Sequence, residues 1–348
     1  MNHGNTKLDV TPFRAQYPWE GRFLDVGGGV RMHYLDEGAG EPLVMLHGNP
    51  TWSFHYRHLV RAFAGTHRVV VPDHVGCGLS DKPGDDRYEY VLERRVRDLG
   101  LLLDRLELED VTLVAHDWGG MIGLAWALRH LERVSRLALF NTAGFGLPAG
   151  RELPWQIAVV RRLPGFEVPV RGFNAFVRGA LAGCTKRPGA IDDLARRAYL
   201  APYDSWKNRI AVQRFVDDIP LQRGDRSFPI VDEVSRNLDR ITDRPVFIGW
   251  GARDFVFDDA FLDEWRRRVP RAEIHRFADA GHFVLEDARD ELLPLLRSFL
   301  ARHPVGAAAA GKAAPSAANP SPTTAAGPAS DEGAGSASPS GTTGARRS

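Results

Sequence analysis

The segment that most limits the folds open to this chain runs from residue 111 to residue 131. Val111-Thr-Leu-Val-Ala115 is an apolar, β-branched run of strand character, and Gly120 to Leu131 follows as a helical stretch opened by glycines. Only His116-Asp-Trp-Gly119 separates the two, so the strand must turn sharply into the helix. Such a turn needs small residues two before and two after its apex, and Ala115 and Gly119 occupy those places around Asp117. The apex side chain is then lifted to the carboxyl edge of the sheet, where open α/β folds bind their ligands. A plain helix cap would also account for an Asp here, but not for the small residues that flank it.

Strand and helix alternate around this point. Phe23–Val26 and Val30–Asp36 read as strands, and Pro42-Leu-Val-Met-Leu-His47 is a continuous apolar run of the buried parallel kind. A helical stretch over Trp52–Phe63, a strand at His67–Asp73 and a helix over Tyr88–Leu106 follow; the last has Val91, Leu92, Val96, Leu99 and Leu103 on one side. After Leu137–Phe140 the alternation stops until Arg244–Gly249. It then continues through a helix near 261–269, a strand over Ala272–Phe277 and a closing helix over Ala288–Ala301. Alternation of this kind predicts an α/β chain with a mostly parallel sheet. Residues 1–146 and 244–303 are expected to form its core, and the helical stretch 147–243 a cap over the active site. The tail, 304–348, is Ala, Gly, Pro, Ser and Thr with a few charges, and is expected to be disordered.

Lys+Arg 45 against Asp+Glu 44 gives a net charge of +1, which offers no reason to expect a nucleic-acid or acidic-membrane partner. No stretch approaches the roughly 18 apolar residues of a membrane span, and the start of the chain lacks the apolar run of a signal peptide. Two cysteines, Cys77 and Cys184, are too few for a disulfide framework and lack metal-ligand spacing. A reduced, cytoplasmic protein is the expectation, with no metal or organic cofactor.

A carboxylate at the apex carries a chemical implication. Attack by Asp on an alkyl carbon forms an ester that can still be released, whereas a serine would be trapped as an ether. An ester-cleaving enzyme is therefore disfavoured. A triad in the chain order nucleophile, acid, histidine requires a late histidine in a loop. His282, in Ala278-Asp-Ala-Gly-His-Phe, meets this, while His275 falls within a strand and His303 after the last helix. Asp254, just beyond Val246-Phe-Ile, is the expected orienting acid, with Asp258, Asp259 and Asp279 as substitutes. The earlier position after Phe140 holds Asn141, which supplies no charge. Asn49, after the strand that ends at Leu46, and Trp118 are expected to give backbone and side-chain N–H donors to an anion.

His47-Gly-Asn-Pro-Thr-Trp-Ser, Asp73-His-Val-Gly-Cys-Gly-Leu-Ser-Asp-Lys-Pro83, His116-Asp-Trp-Gly-Gly120 and Ala280-Gly-His-Phe283 together resemble the haloalkane dehalogenases over roughly residues 20–302. The resemblance implies an α/β-hydrolase fold with an inserted helical cap. It casts Asp117 as nucleophile, His282 as base, Asp254 as acid, and Asn49 with Trp118 as the anion-stabilising pair. The stretches Pro154-Trp-Gln-Ile, Phe173-Asn-Ala-Phe, Arg197–Arg209 and Phe215–Leu221 are similar to the cis-β-lactone decarboxylases of bacterial olefin biosynthesis, a branch of that group. That likeness implies a small apolar substrate, a cis-β-lactone lost as alkene and CO2, and an assembly with a β-lactone synthetase and other olefin-pathway enzymes. Alternatives are a haloalkane dehalogenase proper, an epoxide hydrolase using Tyr199 and Tyr203 as proton donors, and a catalytically silent binding member of the fold.

Overall fold

The computed structural model describes residues 8–305; the tail expected to be disordered lies, from 306 on, outside the described residues. Eight strands form one sheet: β1 (Arg22–Asp25), β2 (Arg31–Glu37), β3 (Pro42–Leu46), β4 (Arg68–Pro72), β5 (Val111–His116), β6 (Val134–Phe140), β7 (Val246–Gly251) and β8 (Glu273–Phe277). Their order is β1-β2-β4-β3-β5-β6-β7-β8. β2 pairs antiparallel with β1 and β4, and every pairing from β4 to β8 is parallel. The chain therefore leaves β3 toward one edge, returns, and adds β5 on the other side. The carboxyl ends of β3 and β5 border that reversal, the place where open α/β sheets form a ligand crevice.

Side chains along the strands alternate between two apolar layers, as the pleat requires. Val44, Leu46, Leu113, Ala115, Leu137, Leu139 and Ile248 join the layer that contains α2 (Leu92–Arg105), α3 (Trp118–Arg129) and α9 (Asp259–Arg268). Leu43, Met45, Val114, Ala138, Phe140 and Phe247 join the layer that contains α1 (Arg57–Phe63), α10 (Val284–Asp287) and α11 (Arg289–Arg302). All six residues of β5 are buried, which explains why its sequence shows no polar alternation.

Between β6 and β7 the described chain is helical: α4 (Trp155–Arg162), α5 (Ala175–Gly183), α6 (Asp193–Leu200), α7 (Ile210–Asp217) and α8 (Phe228–Arg236), joined by short turns. α8 packs against α3. This end of the 147–243 stretch thus lies in the helical layer of the sheet, although its sequence carries the same helical pattern as the rest.

α2 starts at Leu92, four residues later than the sequence period suggests. Its first backbone N–H is taken by Asp218 Oδ2 at 2.7 Å, while the Tyr88 hydroxyl donates to Asp98 and that of Tyr90 to the Pro83 carbonyl. A cap supplied from 126 residues away overrides the local period. The Asp73-His-Val-Gly-Cys-Gly motif has a structural explanation. The Asp73 carboxylate accepts from the backbone N–H groups of Ser53 (2.6 Å) and Leu79 (2.9 Å) and from His33 (2.8 Å). A Cβ at Gly78, whose φ is +48°, would lie 2.3 Å from that carboxyl carbon.

Candidate active site

Asp117 sits between β5 and α3 with φ +53° and ψ −129°, a backbone conformation that L-residues rarely adopt. Its surroundings require small neighbours. A Cβ on Gly119 would lie 2.0 Å from the Leu46 carbonyl oxygen, and one on Gly120 would lie 1.9 Å from Thr142 Oγ1. The turn is tied to β6 from two sides: Asp117 N–H donates to the Asn141 carbonyl (3.2 Å), and the Thr142 hydroxyl donates to the Asp117 carbonyl (2.6 Å).

The loop after β3 closes on the same carboxylate. Asn49 N–H donates to Asp117 Oδ1 at 2.7 Å, and the backbone N–H of Trp118 also donates to this carboxyl group. A Cβ on Gly48 would stand 2.1 Å from Oδ1, so glycine is what allows the approach. Two buried histidines set the loop's path: His47 Nδ1–H donates to the Gly48 carbonyl, and His74 bonds His47 through both its backbone N–H and its Nε2–H. The side-chain amide of Asn49 donates to the Val212 carbonyl of α7 at 3.1 Å. One amide hydrogen is thus committed to the inserted helices and the other remains for a ligand. Trp118 lines the cavity beside Asn49 and stacks at a tilt on Phe215 of α7.

His282 Nε2 stands 3.6 Å from Asp117 Oδ2, and its Nδ1–H donates to Asp254 Oδ2 at 2.7 Å. All five residues singled out in the sequence therefore meet at one place, at the carboxyl ends of β3, β5, β7 and β8. The sequence reading passed over Asn141 because an amide carries no charge. In the structure its Nδ2 donates to Asp254 Oδ2 (2.9 Å) and the Gly251 carbonyl, and its Oδ1 accepts from Gly251 N–H. With Val256 N–H on Oδ1 (2.7 Å), Asp254 is held on both oxygens. A second residue missed in sequence, His116, donates Nε2–H to the His282 carbonyl at 2.8 Å and so fixes the loop that carries His282.

Burial raises the Asp117 carboxyl above its ordinary value, against the opposing pull of His282 and the two N–H donors. Burial pulls the other way on His282, but the neighbouring Asp254 and Asp117 carboxylates outweigh it, and its proton is held above the ordinary histidine value. This has a testable sign. With Asp254→Asn the raising charge is removed and burial dominates, so the limb of the kcat/KM profile that His282 sets should move to lower pH. Turnover should fall by about one order of magnitude as the imidazole loses its orientation. A pH–rate profile checks both, and an unmoved His282 limb would refute the coupling.

Asp117 and His282 line a cavity of about 420 Å³. Its walls are apolar: Met121 of α3, Phe145, Ile157 and Val160 of α4, Val216 of α7, and Phe255 and Phe257 from the loop after β7. Tyr199 and Tyr203 are not among its lining residues, which corrects the idea of them as proton donors. The Tyr199 hydroxyl donates to Glu286 and accepts from His55 Nδ1, and that of Tyr203 donates to the Thr51 carbonyl. Both tie inserted helices to the core. Among the described residues no group of three His, Cys, Asp or Glu side chains is placed to hold a metal ion.

Residues 41–288 match the alpha/beta hydrolase fold family. The chain belongs to that family. This α/β-hydrolase is 48% identical over 285 residues to a cis-3-alkyl-4-alkyloxetan-2-one decarboxylase of Shewanella oneidensis, covering 81% of this chain and 89% of that one. It is 48% identical over 299 residues to a protein of the same name from Xanthomonas campestris, covering 83% and 98%. Among solved structures, haloalkane dehalogenase DatA from Agrobacterium tumefaciens superimposes with a TM-score of 0.73 at 28% identity, over 82% of this chain and 97% of that one.

Proposed function

We propose that this α/β-hydrolase converts a cis-β-lactone bearing two alkyl chains into a cis-alkene and CO2. The observation that carries this reading is the 48% identity, over nearly the full length of both relatives, to two proteins named for that reaction. The site is chemically suited to it. Asp117 is the nucleophile: its Oδ1 accepts from the Asn49 N–H, the Trp118 N–H donates to the same carboxyl group, and Oδ2 stands 3.6 Å from His282 Nε2. Attack at the ring carbon bearing the oxygen breaks that C–O bond, releases ring strain and frees a carboxylate. The side-chain N–H groups of Asn49 and Trp118, both lining the cavity, would cradle that carboxylate. Loss of CO2 then leaves its electron pair as the C=C bond and expels Asp117 as a carboxylate, which protonated His282 stabilises. Inversion in the first step and anti departure in the second keep both alkyl chains on one side. No water is consumed. Attack at the carbonyl would instead give an acyl-enzyme bound for hydrolysis.

The inserted helices act as the cap, supplying the apolar walls that take the alkyl chains. A reactive lactone is best received directly from the enzyme that closes its ring. That favours work in the cytoplasm, in olefin biosynthesis, within an assembly containing a β-lactone synthetase. A second reading, hydrolysis of carbon–halogen bonds, is favoured by the same neutral cradle and by the fold shared with DatA.

One incubation separates the readings. Purified enzyme is given a dialkyl cis-β-lactone, 1-bromohexane or 1,2-dibromoethane, and a styrene-type epoxide, and alkene, bromide and diol are measured. Alkene from the lactone is expected; bromide without alkene would establish the dehalogenase instead.

A further inference from the structure

The near-neutral total charge conceals a strong asymmetry. Residues 147–209 carry eleven Lys or Arg against five Asp or Glu, so the rest of the chain is net acidic. The same stretch holds six of the eight large hydrophobic side chains that the described residues leave exposed: Leu147, Trp155, Leu163, Val168, Phe173 and Trp206. Phe173 and Trp155 are 72% and 73% exposed, far beyond what a side chain packing a fold requires.

These side chains are arranged around the cavity. Val170 and Phe176 turn inward and line it, whereas Val168 and Phe173 of the same segment face outward. A Cβ on Gly172 would touch both Trp206 and Val168 at 3.9 Å, and the Arg171 guanidinium lies 4.6 Å over the Trp206 ring. A tight turn, Leu163 to Phe166, joins Leu163 to this group. Trp155 lines the cavity while mostly exposed, so it stands at the mouth. Nothing about enclosing a cavity requires the outer side of its wall to be apolar as well. Arg162, Arg178 and Lys207 flank the patch, exposed, and none has a carboxylate within 4.0 Å among the described residues. Protruding aromatics beside unneutralised cations are the chemistry of a protein surface that lies on anionic lipid.

We propose that this outer face of the inserted helices docks on an anionic lipid surface. Docking sets Trp155 and the cavity mouth against the bilayer, so that an apolar product leaves into lipid without crossing water. The proposal rests on the surface and the cavity lining, independently of which reaction the triad performs.

The test is cosedimentation of the full-length protein with vesicles of phosphatidylglycerol and phosphatidylcholine, and with phosphatidylcholine alone. Binding to the anionic vesicles is expected, weakening as salt is raised. Exchanging Arg162, Arg178 and Lys207 together for Gln should lower affinity at least about tenfold and flatten the salt dependence. Phe173→Ser with Trp206→Ser should abolish binding, while unfolding temperature and turnover of a short-chain substrate in detergent-free buffer stay unchanged. The proposal is overturned if the wild-type protein remains in the supernatant, or if both variants bind as it does. It is equally overturned if the patch variants change only self-association by sedimentation velocity, which would make the face a contact between copies of this chain.

Discussion

Asp117→Asn is expected to lower turnover by at least about four orders of magnitude while leaving the protein folded. The substitution keeps the shape of the side chain, so the amide oxygen can still accept the Asn49 N–H bond that Oδ1 accepts now. The group left facing the cavity is then an NH2, which has no lone pair available to attack carbon. The strained backbone at φ +53° is held by Thr142, Asn141 and the close approach of Gly119 to Leu46, none of which depends on the charge. Burial already disfavours the carboxylate, so its neutral analogue should unfold at the same or a higher temperature. Alkene formation and a thermal melt on one preparation check both halves. Turnover within about tenfold of the wild type would remove Asp117 from the chemistry.

The sequence made some parts of this site readable and hid others, for physical reasons. The turn at Asp117 announces itself because the clashes that exclude side chains at Gly119 and Gly120, with Leu46 and Thr142, leave their mark as small residues beside the apex itself. The positions of His282 and Asp254 were legible because each follows a strand of recognisable pattern. Asn141 was passed over since its contribution is a hydrogen bond to a residue 113 positions away, and only the parallel pairing of β6 with β7 brings them together. The start of α2 was hidden likewise, since its cap, Asp218, comes from the far end of α7. The helical pattern from 147 to 243 marked the insertion but not which helices face the sheet, because α4 and α8 both carry an apolar stripe and differ only in what it meets. Whole-chain charge was least informative of all, since a balanced total says nothing of how the charges are distributed.

His282→Gln should separate two chemistries that the triad alone leaves joined. With a bromoalkane, Asp117 can still displace bromide, because neither Oδ2 nor the Asn49–Trp118 cradle depends on the imidazole. The ester so formed needs a water made nucleophilic by a base, and His282, whose Nδ1–H is anchored on Asp254, supplies it in the wild type. Without it, release should slow by about four orders of magnitude or more. The alkyl-enzyme should accumulate, visible as a mass increase on the peptide carrying Asp117 together with a single stoichiometric burst of bromide. A cis-β-lactone should behave differently. Its adduct keeps a free carboxylate beside the ester, and departure of CO2 expels Asp117 with no water at all. The variant loses only the positive charge that His282, with its proton held above the ordinary value, sets beside the departing carboxylate. Alkene turnover should therefore fall by only about one to two orders of magnitude, with no lasting adduct. A lactone-derived adduct that persists, with β-hydroxy acid as its slow product, would mean that water does open the intermediate and that the decarboxylation reading is wrong.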